Sequence, residues 1–101
     1  MRVEWSELAN EDLAYYVEYI SRDSVFYANQ FAERIVLATR RLSDFPKSGR
    51  EIPEADDELW REIIVQGYRV MYHLDPDRVL ILAVIDGSRD LTNSKNQPWN
   101  F

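Results

Sequence analysis

The sequence contains no cysteine and a single histidine, His73, in 101 residues. Without cysteine there is no disulfide, no thiol nucleophile and no cysteine-rich zinc site. One imidazole cannot build a His-rich metal centre or a two-histidine mechanism. The three glycines, Gly49, Gly67 and Gly87, form no phosphate-cradling loop. No apolar run approaches the roughly 20 residues of a membrane-spanning helix. The opening Met1-Arg2-Val3-Glu4-Trp5 has no apolar signal core, so the expected compartment is the cytoplasm. Neither a metal nor a cofactor is expected.

Positive charge is also scarce. Twelve Lys and Arg face 18 Asp and Glu, for a net charge of −6. A protein that grips nucleic acid mainly through phosphates should be basic, so tight autonomous binding of RNA or DNA is disfavoured. The excess is local. Residues 1–59 carry seven bases and 13 acids, whereas residues 60–101 carry five of each. Glu51, Glu54, Asp56, Asp57 and Glu58 fall within one short stretch.

What is present is an ordinary globular composition, 46% hydrophobic and 30% charged, at the usual size of one domain. The expected domain spans residues 1–91, followed by a tail, 92–101, to which no structure is assigned. Arg2 to Trp5 reads as a strand. Ser6 is a candidate N-cap, and Leu13, Tyr16, Val17 and Ile20 recur at helical spacing. Ser24 can cap a second helix, with Ala28, Phe31, Ala32, Ile35, Thr39 and Leu42 on one face, ending near Asp44. The short link between them favours an antiparallel hairpin. Residues 46–58 read as a long loop, either a solvated linker or a functional segment that steers a basic partner.

The hydrophobic period then becomes two. Trp60 to Val65, Tyr68 to Leu74 and Val79 to Ile85 form an antiparallel meander with tight turns at Gln66-Gly67 and Pro76-Asp77. This register places Ile63, Val65, Val70, Tyr72, Leu74, Val79, Ile81 and Ile85 on the face that meets the helices. The opposite face carries Trp60, Glu62, Ile64, Arg69, Met71, His73, Leu80, Leu82, Val84 and Asp86. A solvated face should be polar. This one is largely apolar, so the tail or another chain is expected to cover it. The fold class is α+β, a helix hairpin on one face of a small, mostly antiparallel sheet in the order β-α-α-β-β-β.

Arg61, Arg69 and Arg89 could clamp phosphate or carboxylate groups, but Glu62, Asp86 and Asp90 are close enough to pair with them. His73 on a strand is more often a surface residue than a base. Tyr15 and Tyr19, one helical turn apart, could anchor a partner or flank the core.

The element order resembles the RelE/ParE superfamily of bacterial toxins. The local matches are Asp12-Leu13, Tyr19-Ile20, Phe45-Pro46, Gly49-Arg50, Pro53-Glu54 and Arg61-Glu62. The most specific are Gly67-Tyr68-Arg69-Val70-Met71-Tyr72 and Asp86-Gly87-Ser88-Arg89-Asp90-Leu91. The resemblance implies the toxin of a type II toxin–antitoxin, or plasmid-stabilisation, pair neutralised by a cognate antitoxin. Its RelE branch cleaves mRNA on the ribosome, and here would use Arg61, Arg69 and Arg89. Its ParE branch poisons DNA gyrase by binding. Trp60-Arg61-Glu62-Ile63-Ile64-Val65 has one base where the nucleases tend to carry several, and no Tyr or His follows Arg89. General acid–base cleavage needs a proton donor and an acceptor. The reading therefore favours a ParE-like protein that binds rather than cleaves. The alternatives are the mRNA endonuclease and an inactive antitoxin-binding module. The partner surface is expected at Trp60, Ile64, Arg69, Met71, His73, Leu82, Val84 and Arg89.

Overall fold

A computed structural model describes residues 1–89, Leu91, Gln97 and Pro98. The elements run β1 (Arg2–Trp5), α1 (Glu7–Ser21), α2 (Val25–Arg40), a 3-10 turn (Arg41–Ser43), β2 (Arg50–Glu51), β3 (Trp60–Val65), β4 (Tyr68–Leu74) and β5 (Arg78–Asp86). Ser6 accepts a hydrogen bond from the Ala9 amide at 3.0 Å, and Ser24 accepts one from Tyr27 at 3.2 Å, so both expected caps start their helices. The strands form one sheet in the order β1-β5-β4-β3-β2. β1 lies parallel to β5 at one edge, and every other pairing is antiparallel. None of the described helices is long and apolar enough to cross a membrane.

The first hairpin turns at Gln66 and Gly67, whose φ angles are 56° and 81°. Two successive positive φ values are the hairpin geometry that matches strand twist. Val65 then faces Tyr68, and the expected register of β3 on β4 holds throughout. The second hairpin starts as expected, with Leu74 opposite Val79 and Tyr72 opposite Ile81. Beyond that point Met71 faces Ala83, so Leu82 is the extra residue of a β-bulge.

The bulge exchanges the faces of the last part of β5. Val84 moves beneath the helices, and Ile85 moves to the opposite face, the reverse of the expected assignment. The helix-side core holds Ala9, Phe31, Ile35 and Leu42 against Val70, Tyr72, Val79, Ile81 and Val84.

β1 covers β5 only as far as Ile81. Past it, α1 supplies polar partners to the strand edge. Ser6 Oγ donates to the Leu82 carbonyl at 3.1 Å. Asp12 accepts from the Val84 amide at 3.0 Å, and the Tyr16 hydroxyl accepts from Asp86 at 3.2 Å. Burial pushes the Asp12 carboxyl up, although the Val84 amide and the nearby Arg89 charge both oppose this.

Tyr72 fastens the chain after the 3-10 turn to the core. Its hydroxyl accepts from the Gly49 amide and donates to the Pro46 carbonyl, both at 2.9 Å. A Cβ at Gly49 would lie 2.4 Å from that hydroxyl and 2.6 Å from the Glu62 carbonyl oxygen, so only glycine fits. Tyr72→Phe keeps the ring but leaves the Gly49 amide, in a buried residue, without its acceptor. It should lower stability by about 1–3 kcal/mol, read as a reduced urea midpoint at an unchanged denaturant slope.

Candidate functional site

The sheet face away from the helices is closed by the chain itself. Ile52 and Ala55 from the loop, Trp60 at the start of β3 and Leu91 beyond β5 pack on Met71, Ala83 and Ile85 as a second core. The loop is therefore neither a solvated linker nor a wholly free acidic segment. Met71, Leu82 and Val84, expected on an open face, are 0%, 9% and 1% exposed. For Val84 the cause is the bulge; for Met71 it is the loop laid over it. Ile64 lies beyond the covered area and is 54% exposed. The tail residues 92–96 and 99–101, which were candidates to cover this face, lie outside the described residues, as does Asp90.

A four-member ion network runs under the loop. Glu62, projecting from the middle of β3, has no exposed side-chain surface. Its Oε1 accepts from Arg69 Nε at 2.6 Å, and its Oε2 accepts from Arg50 Nε at 2.7 Å and Nη2 at 2.6 Å. Arg69 has 9% of its side chain exposed and turns its fork to Glu54, with Nη1 to Oε2 at 3.1 Å and Nη2 to Oε1 at 2.8 Å. This is the bidentate geometry that a guanidinium offers to a carboxylate or a phosphate. The Arg69 hydrogen bonds hold the Glu54 carboxyl below its ordinary range, against the opposing effect of burial. The two carboxylates, Glu54 first, in turn hold Arg69 protonated.

The three arginines singled out from the sequence do not converge. Arg61 Nη1 donates to the Gly49 carbonyl at 3.0 Å and the Lys47 carbonyl at 3.4 Å, bracing the start of β2. Arg61 Nε is buried without a hydrogen-bond partner among the described residues. Arg89 is exposed after β5, where its charge acts on Asp12 of α1. Of the acids expected to pair with them, Glu62 pairs with Arg69. Asp86 instead accepts from the Ser88 amide and hydroxyl, both at 2.9 Å, which depresses its carboxyl.

His73 lies at the far end of the sheet, edge-on to Trp60 with ring centroids 4.7 Å apart. Its Nδ1 is 2.6 Å from Asp75, which also accepts from Arg78 at 2.6 Å. Arg78 continues to Glu4 at 2.6 Å, so this group ties β1, β4 and β5 together. Among the described residues no cluster of His, Asp or Glu could hold a metal ion. Tyr15 and Tyr19 project from α1, 62% and 56% exposed.

Compared with known families, residues 3–91 match the model described as "ParE toxin of type II toxin-antitoxin system, parDE". The chain belongs to this ParE toxin family. Among solved structures it is similar to "Chromosomal ParDE TA system from P. aeruginosa", with a TM-score of 0.71 and 17% identity. That alignment covers 85% of this chain and 95% of the other, and at such identity it shows a shared fold. No curated protein matches.

In this ParE-family toxin the residues that sequence reasoning passed over are the two that complete the ion network, Glu54 on Arg69 and Arg50 on Glu62. Glu54 was one acid among five in a loop, and Arg50 was noted only beside Gly49. Their signal was charge complementarity, of Glu54 to Arg69 across 15 residues and of Arg50 to Glu62 across 12, which no short-range rule detects. Breaking a buried pair from one side costs about 3–5 kcal/mol. Arg69→Ala should therefore lower unfolding free energy by about that much. Adding Glu62→Gln should recover part of the loss, which a denaturation double-mutant cycle would measure.

The depressed Glu54 carboxyl also sets a pH dependence. Its contribution is present above the ordinary carboxyl value near 4.5 and is lost as pH falls through the lower folded value. Glu54→Gln should flatten this acid limb of the melting-temperature profile while the limb due to the other carboxylates remains.

Proposed function

We propose that this toxin acts by protein contact on DNA gyrase in the cytoplasm, without cleaving RNA. A cognate antitoxin neutralises it, as in a plasmid-stabilisation pair. The observation that carries the reading is Arg69. A nuclease of this fold would need that guanidinium for charge developing on the scissile phosphate. Here Nε is engaged by Glu62 and both terminal nitrogens by Glu54. Arg61 braces backbone carbonyls, and no second histidine or cysteine supplies acid–base chemistry.

The net charge of −6 points the same way, because it opposes approach to an RNA backbone and suits a basic protein surface. Glu51, Asp56, Asp57 and Glu58 remain exposed for such steering. Trp60, Ile64, His73 and Arg89 remain proposed partner residues at the accessible margins of the two covered faces. Met71, Leu82 and Val84 could serve only by shaping the surface from beneath.

The deciding experiment induces the toxin and follows two readouts. Purified protein should inhibit gyrase supercoiling, and mRNA on purified ribosomes should remain intact. Site-specific mRNA cuts that disappear in a variant of the exposed Arg89, Arg89→Ala, at an unchanged melting temperature would establish the nuclease instead. Losing one preorganised donor would remove about 10²–10³ in rate.

A further inference from the structure

The β3 edge is only half closed. β2 pairs with Arg61 and Glu62 and then stops. The Ile52 amide donates outward-edge fashion to the Trp60 carbonyl, and the Leu74 amide takes the Leu59 carbonyl on the other side. Backbone groups alternate sides along a strand, so Trp60, Glu62 and Ile64 present theirs to the β2 edge. Ser48 would be the next residue to face Ile64, but its amide already donates to the Phe45 carbonyl at 3.1 Å. Among the described residues nothing bonds the outward amide and carbonyl of Ile64.

Beside this open position lie two adjoining clefts of about 320 and 340 Å³, between the last turns of α2 and the β3 edge. Their walls are apolar where they meet Leu37, Phe45 and Ile64, which are 46%, 66% and 54% exposed. Their rims carry Arg34 and Arg41, whose guanidinium groups have no ion-pair partner among the described residues. In a chain of net charge −6, two unpaired arginines beside one open strand position form a local site of opposite sign.

We infer that this edge receives an extended segment of the cognate antitoxin, one that alternates apolar and acidic side chains. The inference rests on the proposed toxin–antitoxin pairing and specifies where and by what chemistry the two meet. The segment adds as a short strand and takes up the Ile64 amide and carbonyl. Its apolar side chains enter the clefts against Leu37 and Phe45 on one face and against Ile64 on the other. Its carboxylates reach Arg34 and Arg41. Main-chain pairing fixes the register, and alternate side chains give specificity.

The test uses the full toxin and the product of the reading frame adjoining its gene. Arg34→Glu combined with Arg41→Glu reverses two exposed charges away from both cores and should leave the melting temperature unchanged. It should weaken the complex by roughly tenfold or more, with a smaller deficit at high salt. Amide hydrogen exchange on the unaltered toxin should show Ile64 protected only in the complex. If the two proteins associate with an affinity indifferent to the double reversal, or with Ile64 exchanging as fast as in the free toxin, the inference is wrong and the pairing stands. If they do not associate at all, the pairing itself falls, and the inference with it.

Discussion

A carboxylate with no contact to water has to be neutralised where it lies, and Glu62 is that carboxylate. One oxygen takes Arg69 and the other takes Arg50. Arg50 brings β2 to the β3 edge, and Arg69 reaches on to Glu54. Fixing Glu54 fixes the loop, which places Ile52 and Ala55 over Met71, Ala83 and Ile85. The second core thus hangs on a charge network. Apolar residues of equal volume often stabilise as well as a buried ion group does. Here the network also sets the path of a loop that has almost no regular structure.

The same arrangement bears on chemistry. A guanidinium near the surface of a sheet is available to any anion that arrives. A guanidinium with all its outward nitrogens on carboxylates is not, unless a carboxylate leaves first. The fold of this ParE-family toxin therefore presents a closed, internally neutralised face where an RNA-cleaving relative would need an open, cationic one. That contrast supports contact with a protein over chemistry on a phosphate.

Much of the fold was legible because local signals agreed. Serine caps marked both helix starts, Gln66-Gly67 fixed the first hairpin, and the expected limits of β1, β3 and β4 match the observed ones. The apolar second face correctly signalled a cover, but not that the loop would provide it. The bulge was hidden for a physical reason. Leu80 to Ile85 is apolar at every position, so either phase of the strand buries hydrophobic side chains and the pattern cannot report a slip. The Glu54–Arg69 contact was hidden because loop residues carry no periodicity. Asp12 was noted only as part of a motif, while its work is to accept the Val84 amide of a strand 72 residues away.

The bulge at Leu82 gives β5 a phase that depends on counting. On one side of it Ile81 faces the helices; on the other, Val84 does. Exchange of one aliphatic residue for another along this strand changes volume by a methyl group or two. Loss or gain of a single residue between Ile81 and Val84 changes which side chains are inside. It would turn Ile85 under the helices, push Val84 outward and carry the strand's amides away from Asp12 and Tyr16. For evolution and for engineering alike, this strand is permissive in composition and intolerant in length.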